Sequence, residues 1–154
     1  MAMFKILVPY NLTANDKKAL EFVFSMFLEQ PEAEVTLYHV HSPVPDIPIG
    51  KDTVMEKMRS SISYLNQRLQ EQENELRNAC LDLVEKGFAE TRVRKAFEPK
   101  RKDLATDIIE KAQSGNYQMI VLNRKPGRAA RFFTAPVHAK VAAGITNATV
   151  CIVT

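Results

Sequence analysis

Five short strand-like segments, four of them largely apolar runs and the third carrying Val93 and Phe97 on one face, alternate with stretches of helical periodicity and constrain this chain more than any other feature. They are Phe4–Val8, Val35–His41, Thr91–Phe97, Tyr117–Leu122 and Thr149–Val153. Runs this short and this apolar suit strands buried on both faces of a sheet. Between them, apolar residues recur at steps of three and four, the spacing of one face of a helix. A helix is the usual crossover between parallel strands, and such crossovers are right-handed. The expected fold class is therefore α/β, a five-stranded, mainly parallel, doubly wound sheet with helices on both faces.

Local signals set the boundaries. Pro9 ends the first run, and Thr13 with Asp16 three residues later reads as a capping-box variant, in which the hydroxyl satisfies an orphan amide at a helix start. Ala19, Leu20, Val23, Phe24, Phe27 and Leu28 follow at helical spacing, and Pro31 marks the stop. Pro43, Pro45 and Pro48, with Gly50, make a connection that cannot be helical. From Asp52 to Glu85 neither proline nor glycine intervenes, and the apolar steps from Val54 and Met58 through Ile62, Leu65, Leu69, Leu76, Cys80, Leu83 and Val84 predict one long amphipathic helix. Its stripe is interrupted at Gln72 and Glu73, where the helix is expected to overhang into solvent, and Gly87 is its expected C-terminal cap. A third helix is expected over Asp103–Gln113, closed by Ser114-Gly115, and a fourth from Pro136 to Gly144.

At 154 residues, with no repeat or low-complexity segment, the chain reads as a single domain over 1–154. A hydrophobic content of 45% and a charged content of 25% fit a soluble globular protein. The net charge of +3 is too small to argue for nucleic acid. No apolar run approaches the roughly 20 residues of a membrane span, and the start, Met1-Ala2-Met3-Phe4-Lys5, lacks a signal peptide's layout. Cys80 and Cys151, inside a helical and a strand pattern, read as buried thiols. A cytoplasmic protein with no membrane or nucleic-acid partner is expected.

The order and spacing of several pieces resemble the universal stress protein family over nearly the whole chain. These pieces are Lys5-Ile6-Leu7-Val8-Pro9 with Lys18-Ala19-Leu20 behind it, Leu37-Tyr38-His39-Val40, and Gly115 to Leu122. The segment from Val137 to Val153 is similar to the family's last helix and strand. The resemblance implies a universal-stress-protein-like fold and dimers paired through the last strand. That strand is expected at a sheet edge, where an apolar ladder associates readily.

ATP-binding members of the family carry an acidic residue after the first strand and a glycine-rich loop after the fourth. The glycines let backbone amides approach phosphates at a helix N-terminus. Here Asn11 matches the acidic position, Asn123 and Pro126 match the glycines, and no glycine followed by serine or threonine precedes the last helix. Pro126 and Pro136 lack amide donors altogether. The ATP motif is absent as a motif, so no cofactor is expected, with ATP left as an option for a degenerate site.

The loops expected on that edge of the sheet are basic instead, with Lys100, Arg101, Lys102, Arg124, Lys125, Arg128 and Arg131. Two readings fit. Side-chain cations could replace glycine amides at a phosphate, or the charges could form a solvated rim, as charge runs usually do. Pro126-Gly127 has turn chemistry. The candidate anion or nucleotide site comprises Asn11, Thr13, Val40, Asn123, Arg124, Lys125, Gly127 and Arg128, lying where the winding of such a sheet reverses.

Other chemistry finds little support. His39 and His41 share a strand face, but only His138 remains as a third histidine, and no cysteine or carboxylate pattern completes a metal site. Ser60, Ser61 and Ser63 lie on the long helix without a G-x-S-x-G elbow. Neither cysteine has an activating neighbourhood. No catalytic residue is identified. A non-catalytic regulatory or interaction protein of the stress response is expected, with a nucleotide- or phosphate-binding protein as the alternative.

Overall fold

The computed structural model describes residues 3–45, 53–124 and 136–154. Its strands are β1 (Phe4–Pro9), β2 (Ala33–His41), β3 (Val93–Pro99), β4 (Met119–Asn123) and β5 (Thr149–Val153). Its helices are α1 (Lys17–Phe27), α2 (Thr53–Glu85), α3 (Leu104–Ser114) and α4 (Val137–Gly144). The strands form one sheet in the order β3-β2-β1-β4-β5, and every pairing is parallel. The expected fold class is what forms. The winding runs outward from β1 to β3, then returns to β4 on the other side of β1, so it reverses between β1 and β4.

Strand alternation explains the two cores. Ile6, Val8, Val35 and Leu37 point to the face covered by α1 and α2, where Val23, Leu76, Leu83 and Phe88 complete a cluster. Leu7 and Tyr38 point the other way, to α3 and α4, against Ile108, Ala112, Ile120 and Val141. Both faces of the central strands are covered, which is why these strands read as continuous apolar runs rather than alternating ones.

Boundaries depart from expectation where side chains act at a distance. Residues Glu90–Arg92 make a 3-10 turn instead of beginning β3. The reason is Arg92, whose side chain turns back and donates to the carbonyls of Phe27, Leu28, Gln30 and Ala33. It thereby serves carbonyls that the end of α1 leaves without helical partners, and its guanidinium lies 4.7 Å from the Phe88 ring centre. Gly87 ends α2 at φ +123°, a backbone conformation that side-chain-bearing residues avoid. α2 is long, as expected, but its overhang is the whole N-terminal half: Leu76, Ala79 and Leu83 are its buried residues. Phe22, Phe24 and Phe27 pack half-buried against the first core, and Pro48, Gly50 and Asp52 lie outside the described residues.

Candidate functional site

The edge of the sheet to which β1 and β4 deliver their C-terminal ends is organised by two carboxylates. Asp16, 1% exposed, ends the 3-10 turn Ala14–Asp16 that leads into α1. Its carboxylate accepts from the Thr13 amide at 2.7 Å, the Thr13 hydroxyl at 2.8 Å and the Asn11 amide at 3.2 Å. The capping box expected from Thr13 and Asp16 forms, with the carboxylate at its centre. Wrapping Asn11 to Thr13 around one carboxylate puts Leu12 at φ +62°, a left-handed conformation that costs a branched residue energy and persists only where surroundings impose it.

Asn123, the last residue of β4, joins the same group. Its side-chain amide donates to Asp16 at 3.2 Å and its oxygen accepts the Ala19 amide of α1 at 3.1 Å. The structure thus brings Asn11, Thr13 and Asn123 together, around Asp16. Arg124 follows, exposed, with its backbone amide bonded to the Val153 carbonyl at 2.8 Å. Val40, half-buried, packs on the opposite face of the sheet, in the cluster under α3 and α4. Lys125, Gly127 and Arg128, with Pro126 and Arg131, lie outside the described residues.

The loop after β3 repeats the device. Asp107, 5% exposed in the first turn of α3, accepts the amides of Arg101 at 3.0 Å and Lys102 at 3.2 Å. Asp103 caps the same helix by accepting the Thr106 amide at 2.9 Å. The Lys102 ammonium is paired with Glu110 at 2.6 Å. The loop amides of Asn11 and Thr13 before α1 and of Arg101 and Lys102 before α3, with the Thr106 amide of α3, are therefore bound by the chain's own carboxylates, and the Lys102 charge of the basic rim is paired. Asp107 went unread in the sequence. Its signal was available in an acidic residue inside the first turn of a helix that follows a basic loop.

The remaining candidates are engaged in packing. His39 Nδ1 lies 2.8 Å from the Tyr10 carbonyl, which can only accept, so this nitrogen carries the hydrogen. Burial pushes the His39 pKa down against the opposing pull of that bond. His39 and His41 both stack on Phe97, at 5.5 and 4.5 Å between ring centres. The thiols are half-buried rather than buried. That of Cys80 sits 3.8 Å from the Arg94 carbonyl, and burial raises its pKa to about 11, far from a reactive thiolate.

Comparison with known proteins places this architecture. No curated protein matches the sequence. Among solved structures, the universal stress protein UspA of Lactobacillus plantarum superposes with a TM-score of 0.65 at 13% identity, covering 100% of this chain and 99% of that one. A universal stress protein in complex with cAMP gives 0.65 at 14% identity, over 99% and 98%. One from Archaeoglobus fulgidus in complex with dAMP gives 0.59 at 15% identity, over 99% and 98%. At such identities the likeness concerns the fold. The model of the universal stress protein family matches residues 3–152, nearly the whole chain, and the protein belongs to that family.

Proposed function

We propose that this universal stress protein is a non-catalytic regulatory or interaction protein of the stress response that does not hold ATP in the manner of the glycine-loop members. The observation that carries the reading is the buried Asp16 carboxylate at the start of α1, beside the end of β4. A fixed negative charge with the nearby amides already bound to it repels a phosphate and leaves it few donors. The missing glycines support the same reading, since Asn123 spends its side chain on Asp16 and Ala19. The protein acts in this reading as a homodimer joined through β5, an edge strand on which Ile152 is 42% exposed.

The alternative is a nucleotide or phosphate binder that uses Arg124, Lys125 and Arg128. Two features favour it. Arg124 is exposed at the end of β4, and structurally similar family members have been solved with cAMP and dAMP. Isothermal titration of nucleotide-stripped protein with ATP, ADP, AMP and inorganic phosphate separates the two readings. No heat beyond dilution supports the first, and micromolar ATP binding overturns it.

A further inference from the structure

The C-terminal third of α2 is seated in the core by Leu76, Ala79 and Leu83. The apolar positions before them, Met55, Met58, Ile62, Leu65 and Leu69, continue the same stripe. With Gln72, the series from 55 to 83 alternates steps of three and four without a break, which is a heptad repeat with these residues at the a and d positions. A strict heptad stripe is the pattern of a helix that wraps against a second helix, because a lone straight helix drifts away from a 3.5-residue period.

No described helix covers the N-terminal half. Among the described residues, none from 53 to 75 belongs to either core cluster. Met58 and Leu65 are each 40% exposed and Tyr64 is 58% exposed. Residues 53–71 form an overhang roughly 28 Å long. Gln72, half-buried, is the polar member of the stripe and stands where its outer part gives way to the part seated on the sheet.

The body of the molecule selects the direction of a partner. From Leu76 onward the sheet occupies the stripe side of α2. A helix laid parallel to the overhang on that side would run into the sheet. An antiparallel helix has its N-terminus toward the sheet, and its own body lies beyond the far end of the overhang. The same overhang of a second copy has the required length, stripe and direction.

We propose that the N-terminal half of α2 pairs with that of a second copy as an antiparallel coiled coil. Ile62 then packs against the partner's Leu65 and Met58 against the partner's Leu69, each twice by two-fold symmetry. In this register Arg68 lies beside the partner's Ser61, so no arginine at this position faces its own image. A pair of this length covers roughly 1,000 Å² in total, the lower bound of a specific interface. The surface is separate from the β5 edge.

Sedimentation of the full chain carrying Ile152→Lys, which puts a charge on the β5 edge, isolates this contact. That protein still dimerises at high micromolar concentration. Adding Ile62→Glu and Leu65→Glu weakens the dimer more than about tenfold, with the urea midpoint of the monomer retained. Ile62→Ala with Leu65→Ala, which keeps the helix, acts in the same direction. A monomeric Ile152→Lys protein, or alanine and glutamate variants that associate like it, overturns the proposal. Direction is read from disulfides in a Cys80→Ser, Cys151→Ser background. A Met58→Cys chain mixed with a Leu69→Cys chain cross-links to it, whereas Met58→Cys alone cross-linking to itself overturns the antiparallel pairing.

Discussion

The Asn123 side-chain amide reaches from the end of β4 to the Asp16 carboxylate at 3.2 Å and thereby ties the sheet to the start of α1 across the point where the winding reverses. Open α/β folds commonly place ligands at this point. Here the chain has put an acid there and bound it with its own donors, so the same residues that were candidates for a ligand serve the fold.

Replacing Asp16 by alanine leaves the Asn11 and Thr13 amides and the Asn123 side chain without an acceptor. Unmade hydrogen bonds of this kind cost about 1–3 kcal/mol, and the expected loss is near the upper end because several donors share one carboxylate. Urea denaturation measures it. A loss below about 0.5 kcal/mol, the range of ordinary surface changes, contradicts the role assigned to Asp16. Asp16→Asn removes the charge with little change of shape. If the crevice rejects anions electrostatically, this variant binds phosphate more tightly than the parent in titration.

The basic residues give the converse test. Under the alternative reading, replacing Arg124 and Lys125 by alanine weakens phosphate binding, and does so less at high salt, where exposed charges are already screened. Folding should move by no more than about ±0.5 kcal/mol. Equal binding by parent and variant, or no binding by either, makes the rim a solvated surface.

His39 should make stability depend on pH. Its folded pKa lies below the ordinary imidazole value because burial disfavours the cation. The unfolded chain therefore binds the proton first as pH falls, and stability declines below about 6.5. Above that value the contribution is complete. Chemical denaturation between pH 5 and 8 should show stability rising with pH, and His39→Gln, whose amide can still serve the Tyr10 carbonyl, should flatten that rise. An unchanged slope would place the titration elsewhere.

Among the described residues, Arg92 is the side chain with the most bonds to main-chain carbonyls, and its loss should be severe. Arg92→Ala removes four charge-assisted bonds to carbonyls of the α1 end and of the β2 start together. A cost of about 3 kcal/mol or more is expected from breaking charge-assisted bonds in a buried setting. Arg92→Lys should recover little, since one ammonium cannot span four carbonyls in the guanidinium's fork geometry. Thermal denaturation followed by circular dichroism decides this.

Pairing through the β5 edge, as proposed above, is tested at Ile152. Ile152→Lys should lower self-association measured by sedimentation, because a charge opposite its own image opposes edge-to-edge pairing. An unchanged association would remove β5 from the assembly.

The fold was legible because it rests on periodicity, a local property. The runs at Phe4 and Val35 and the uninterrupted span from Thr53 to Glu85 state their structure through spacing, and Gly87 and Asp103 mark ends by chemistry that acts within one turn. The reversal of winding was legible only through resemblance, since no local feature says which side of β1 will receive β4. The site depended on contacts across the chain. Asn123 and Asp16 are 107 residues apart, and Arg92 and Phe27 are 65 apart. A single sequence shows that an amide, an acid or a guanidinium is present, but not which orphan donors or carbonyls it will find. That pairing is decided by the tertiary structure, because burial is what makes an unpartnered polar group costly enough to select its partner.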